Sequence, residues 1–291
     1  MKKLVYFGIS VFLTGCFFDN KAEDTSKKPQ LEQFPVGVLI MQDVHGPKSG
    51  ADLEAAFWIQ SVEKPAKISR QYRGFLGATD AAESNVCKIS RRPQPTEKPA
   101  EAQYLSAGNL SFGVANSQTM TPMKEYKNHF YQLPLTSGIG SNLFQIAGSG
   151  SKEIPKFIVP LSFPEDLTTM VVNNFDFSKD PVNVKKSENL KVTWNAALLE
   201  DERDYMELAI LTDTEKEQID LHCRFQEKLL LRNDKTMSWE ISKEYLQELP
   251  LTTQPGKITV ARTRTAIINT RLPVTQTIGT RVFQTIVGVG E

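Results

Sequence analysis

Cysteine and histidine are scarce, three of each in 291 residues. That supply excludes a disulfide-dense scaffold and leaves little for zinc or haem ligation. Neither sign of charge is in excess: 34 Lys+Arg stand against 34 Asp+Glu. The basic surplus of a nucleic-acid binder is missing, and so is the large net charge of a disordered chain. The apolar run that opens the sequence, Leu4 to Leu13, has ten residues. As a helix it rises about 15 Å, roughly half the hydrocarbon thickness of a bilayer, too short for a permanent span. Gly-x-Ser-x-Gly, His-Glu-x-x-His and Walker-type loops are all lacking. What is present, 40% hydrophobic and 23% charged residues, is the composition of a folded body long enough for two ordinary domains.

Lys2 and Lys3 followed by the apolar decapeptide, in which only Gly8 and Ser10 interrupt large side chains, form the basic start and core of a signal peptide. Leu13-Thr14-Gly15-Cys16 comes next and resembles the lipobox of bacterial lipoproteins, a Leu, two small residues and a Cys. The resemblance implies diacylglycerol on the Cys16 sulfur, cleavage after Gly15, acylation of the new amino terminus and a membrane partner reached through that lipid. Each buried methylene contributes about 0.8 kcal/mol, so two or three acyl chains anchor permanently. Phe17 stands where lipoproteins kept in the inner membrane of diderm bacteria carry Asp, which favours the outer membrane. Cleavage removes two lysines and leaves 32 basic against 34 acidic side chains, a formal charge of −2, so no attraction to nucleic acid or anionic lipid is expected.

Residues 16–33 are then expected to be the lipidated Cys and a tether: Asp19 to Gln33 is polar, mixed in charge and aperiodic. From Phe34 onward, short β-rich runs alternate with turn residues. Val36–Met41, Ala55–Val62, Val86–Ser90, Leu110–Val114, Phe130–Leu135, Leu143–Ala147 and Ile154–Phe163 are the strands expected in the first half. Met170–Phe175, Leu190–Trp194, Tyr205–Leu211, Gln218–Phe225, Met237–Ile241, Lys257–Thr265 and Val282–Val289 follow in the second. One short helix is expected at Lys243–Leu249, capped by Ser242 and stopped by Pro250. Arg91 to Gln103 holds three prolines and no large apolar residue, the composition of an exposed loop.

The fold class this predicts is all-β, two antiparallel sandwich regions over residues 34–164 and 165–291. The boundary falls near Pro164, and Pro160 and Pro164 place the segment before it on a sheet edge. One continuous larger sandwich is the alternative. The strands LKVTWN, DYMELAIL, IDLHCRF, MSWEIS and KITVARTRT resemble those of Ig-like β-sandwich modules in uncharacterised bacterial surface lipoproteins. That likeness implies a fold and transfers no activity.

Cys87 and Cys223 are the thiols left after lipidation, and in an oxidising compartment a disulfide between them is allowed if their α-carbons come within about 7 Å. Two separately buried thiols are the alternative. Alternation in IDLHCRF puts Cys223 on the core face and His222 on the other, so the two do not share a site. Asp43 and His45 lie on one side of a strand but have no third metal ligand. Ser137–Ser141 and Gly148–Ser151 read as hairpin loops. Arg262, Arg264 and Arg271 form a basic cluster, the nearest thing to a recognition patch, which a solvated sheet face that discourages edge pairing explains at least as well. Tyr126, His129, Phe130 and Tyr131 would stack on sugars from a loop but fit alternating burial better, and Trp58, Trp194 and Trp239 are expected in the core.

No catalytic, metal or cofactor residue is assigned. The function expected is a lipid-anchored, non-enzymatic binding or structural module of the bacterial envelope, with an envelope protein or glycan as partner. The alternatives are an envelope hydrolase or carbohydrate-active enzyme with loop-assembled carboxylates, and a small-ligand-binding lipoprotein.

Overall fold

The computed structural model describes residues 34–45, 52–62, 86–93, 103–135, 142–167, 169–177, 181–196, 203–214, 217–226, 231–233, 235–251, 256–268 and 273–291. The signal segment, Cys16, the tether, Ser137–Ser141, residues 94–102 and Arg271 lie outside them.

Strands dominate, as the alternation predicts. In the first half they are β1 (Phe34–His45), β2 (Asp52–Val62), β3 (Val86–Pro93), β4 (Leu110–Val114), β5 (Thr121–Pro122), β6 (Lys124–Glu125), β7 (Tyr131–Leu135), β8 (Leu143–Gly148) and β9 (Phe157–Ser162). The second half adds β10 (Met170–Val172), β11 (Phe175–Asp176), β12 (Val182–Lys185), β13 (Leu190–Asn195), β14 (Asp204–Asp213), β15 (Glu217–Gln226), β16 (Leu231–Asn233), β17 (Thr236–Ile241), β18 (Gly256–Ile268) and β19 (Val274–Gly290). Helix α1 (Lys243–Gln247) follows β17. The Glu244 N–H donates to Ser242 Oγ at 3.3 Å, so this cap starts the helix, and Pro250 follows it.

A ten-stranded sheet runs β3-β15-β14-β18-β19-β1-β2-β7-β6, with β12 paired to the far end of β19. A five-stranded sheet (β11-β10-β13-β17-β16) and a four-stranded sheet (β5-β4-β8-β9) hold the other strands of the described residues. The β10–β11 hairpin turns on Asn173 and Asn174, both at positive φ, the two-residue loop that matches strand twist. β9 is an edge strand and carries Pro160, where a missing N–H interrupts no ladder.

One face of the large sheet buries two cores. The first joins it to the five-stranded sheet through Met206, Leu208, Leu221, Val260 and Phe283 on one side and Val192, Trp194, Trp239 and Ile241 on the other. The second joins it to the four-stranded sheet through Leu39, Met41, Phe57 and Tyr131 facing Phe112, Phe144, Ile146 and Leu161. Both cores are sandwich-like, and β18 runs through both, with Ile258 and Val260 in the first and Ile268 against the second.

Two features depart from the expected architecture. The large sheet is mixed: β1 and β12 each pair with β19 in parallel, while the remaining pairs are antiparallel. Parallel neighbours need a long crossover, and here nearly the whole chain serves as one between β1 and β19. Residue 164 also does not divide the hydrogen bonding. β3, which precedes it, pairs with β15, and Cys87 belongs to the core of the second half. Residues 33–291 pack as one unit.

Candidate functional site

Alternation along β18 sets Arg262 and Arg264 on the core face, between the two apolar stretches just described. The neighbouring strands bring their partners by register: Arg281 of β19 lies opposite Arg262, Asp43 of β1 opposite Arg281, and Asp204 of β14 opposite Arg264. Arg264 binds Asp204 in a two-point fork, Nε to Oδ1 at 2.5 Å and Nη2 to Oδ2 at 2.7 Å, and donates to Ser162 Oγ at 3.0 Å. Arg281 donates to Asp43 Oδ2 at 2.5 Å and to the Pro164 carbonyl at 3.3 Å, with its guanidinium 4.2 Å above the Phe163 ring. Arg262, 0% exposed, spends its fork on main chain: the carbonyls of Glu165, Asp166 and Asn195 at 3.3, 3.2 and 2.7 Å. Residues 162–166 are thus clasped by three arginines where the chain passes from one small sheet to the other.

This corrects the expectation of a solvated arginine face. β18 is a central strand, and a buried guanidinium persists there because carbonyls or carboxylates answer its donors. Arg281, Asp43 and Asp204 were not read as a group from sequence. The available signal was charge at inward-facing positions of otherwise apolar strands.

The reverse face of the sheet carries a polar row across six strands. Arg224, Glu207, Thr263, Thr280, Gln42 and Glu54 succeed one another on β15, β14, β18, β19, β1 and β2. Arg224 Nε is 3.4 Å from Glu207 Oε1, and its guanidinium lies 4.0 Å from the Tyr205 ring centroid. Thr263 Oγ1 donates to Glu207 Oε2 at 3.3 Å and lies 3.0 Å from Thr280 Oγ1, while Gln42 Nε2 donates to Glu54 Oε2 at 3.4 Å. Beside this row Val38, Ala56 and Trp58 pack with Tyr104 and Phe130, and burial raises the Tyr104 hydroxyl pKa above its usual value.

Cys87 and Cys223 face each other across β3 and β15 and are joined by a disulfide, with α-carbons 4.0 Å apart. Cys223 is buried, and His222, half-buried, lies on the opposite face. Asp43 is engaged by Arg281, while the side chain of His45 lies outside the described residues. Among the described residues no three His, Cys, Asp or Glu side chains gather as a metal site. The four aromatic-cluster residues separate: Tyr131 sits in the second core, Phe130 stacks with Trp58, Tyr126 lies beneath Lys124, and His129 Nδ1 is 2.6 Å from Glu125 Oε1. Gly148–Ser151 lies at the β8–β9 turn, where Ser149 Oγ accepts from the Asn109 N–H at 2.8 Å. The three tryptophans are buried.

No protein-family model matches the chain, and no curated protein matches it.

Proposed function

We propose that this is an exported bacterial lipoprotein, held to the envelope by diacylglycerol on Cys16 and acting as a non-enzymatic binding or structural module. The Leu13-Thr14-Gly15-Cys16 sequence behind a short basic and apolar start supports the anchor. The observation that carries the export half is the Cys87–Cys223 disulfide, because such bonds persist where the surroundings oxidise thiols and are rare in the reducing cytosol. The charged groups inside the fold are engaged with one another and with the main chain, an arrangement suited to rigidity. Phe17 after the lipidated Cys favours the outer membrane, and residues 165–291 are read as an Ig-like module. Its partner in this reading is an envelope protein or glycan.

The test is metabolic labelling with radioactive palmitate, together with intact-mass measurement of the membrane-extracted protein. Labelling and a diacylglyceryl mass on a chain starting at residue 16 are expected, and Cys16→Ala abolishes both. An unmodified protein that retains its leader, or labelling that survives the substitution, overturns the reading.

A further inference from the structure

A strand in a sandwich is ordinarily held by burying every second side chain, about 1.5–3 kcal/mol for each large aliphatic one. β3 departs from this. Of its side chains from Val86 to Arg91, only Cys87 is buried; Val86, Lys88 and Arg91 are exposed, and Ile89 and Ser90 are half-buried. The one buried position is therefore half of the disulfide. On the surface Arg91 lies 3.2 Å from Glu217 Oε1 and 3.1 Å from the Glu248 carbonyl. An exposed pair of this kind contributes at most about 1 kcal/mol.

β15 behind it is a different object. Ten residues long and without proline, it buries Ile219, Leu221 and Cys223 on one face. Among the described residues β3 is the last strand of the sheet on that side, and it ends in Arg91, Arg92 and Pro93, the charge and proline that blunt an edge. It guards an edge that would otherwise invite pairing, and its one buried side chain between Val86 and Arg91 is the one bridged to β15.

We infer that the Cys87–Cys223 disulfide is a redox latch: its reduction releases β3 and opens the β15 edge to a strand supplied by a partner protein. The reductant is a dithiol. Its thiolate attacks the sulfur of Cys87, the less buried of the two, and Cys223 leaves as a thiolate that takes up a proton. The second thiol of the donor then attacks its own mixed-disulfide sulfur, Cys87 leaves and is protonated, and the donor ends as a disulfide. Two electrons and two protons have passed to the protein. The partner's chemistry is read from what it replaces. Opposite Cys223 and Leu221 the displaced strand offers Cys87 and Ile89, opposite His222 and Asp220 it offers Lys88 and Ser90, and arginines follow towards Glu217. An extended segment with small apolar residues at alternate positions and a basic carboxyl end fits that edge, held by main-chain hydrogen bonds. This inference stands apart from the lipid anchor and survives its failure.

The test is hydrogen exchange by mass spectrometry on the full-length protein in detergent, with and without dithiothreitol, alongside binding of a fluorescent peptide of residues 86–93 carrying Ala for Cys87. Exchange of the Val86–Arg92 amides should rise about 100-fold or more on reduction while β14 and β18 stay protected. The peptide should bind the reduced protein alone. Cys87→Ser with Cys223→Ser should behave as reduced without reductant, and if that variant does not fold, the dithiothreitol arm on the unaltered protein decides. Continued protection of β3 after thiol labelling shows complete reduction would overturn the latch, as would loss of protection across the whole sheet. Release of β3 without peptide binding would overturn the open edge.

Discussion

Asp204 and Arg264 form the tightest paired fork in the seam, and breaking it should have a recognisable energetic pattern. Their side chains are 2% and 12% exposed, and the pair is bidentate. Asp204→Ala leaves a guanidinium in the interior without its counter-charge, and losing one partner of a buried ion pair costs about 3–5 kcal/mol. For a chain of this size each kcal/mol lowers Tm by about 2–4 °C, so the melting point should fall by about 6–20 °C. Replacing both partners with apolar residues of similar volume, Asp204→Leu with Arg264→Met, removes the stranded charge together with the attraction. That double variant should lie within about 2 kcal/mol of the parent, well above Asp204→Ala. Thermal unfolding followed by circular dichroism measures both. A single substitution costing under about 1 kcal/mol, or a double variant as unstable as the two single changes added, would refute the claim that this pair is a buried, mutually dependent unit.

Gly279 lies opposite Arg264 in the ladder, and a β-carbon there would sit 2.8 Å from Phe163 Cδ2 and 3.0 Å from the Ser162 carbonyl. Gly279→Ala should therefore push the clasped segment away and cost about 1–3 kcal/mol by thermal melt, with no effect at Gly290, where the same addition meets nothing. Tyr131 accepts the Ala107 N–H at 3.2 Å, so Tyr131→Phe should lose about 1–3 kcal/mol in a denaturant titration by orphaning a buried donor. Burial raises the Tyr131 pKa above its ordinary 10.0, which means the folded state holds the proton more tightly than the unfolded one. That contribution is whole below the ordinary pKa and fades as pH climbs through the raised one, so stability curves taken into alkali should fall less steeply for Tyr131→Phe than for the parent.

The alternation of side chains was enough to place most strands, because period two survives wherever one face is buried. Leu110–Val114 matches its strand to the residue, and Ser242 and Pro250 bracket the helix as their chemistry requires. Strand length was harder to read. β19 begins at Val274, eight residues before the expected Val282, because its first half buries threonines, Gln276 and Gly279, which carry no apolar signature. Very short strands such as β5, β6, β12 and β16 have too few positions to show a period. The seam was the least accessible feature. Asp43, Asp204 and Arg281 are 238 residues apart at the extremes and meet only through register, and a charged residue in a strand reads as solvent-facing unless its partner is known. Arg262 was visible as a basic residue, but nothing local indicates that its ligands are the carbonyls of residues 165, 166 and 195.

The parallel union of β1 with β19 has a consequence for how the molecule comes into being. A ribosome delivers β1 long before its permanent neighbour, so the centre of the broad sheet stays incomplete until Val274 to Phe283 have emerged. Pairings of such wide separation in the chain fold slowly, and the early hairpin of β1 and β2 must wait with one flank unmatched. Removing Val287 to Gly290 would strip β12 of its parallel neighbour, and only a cut reaching back into Val274 to Phe283 would leave Val36 to His45 without the strand against which they close.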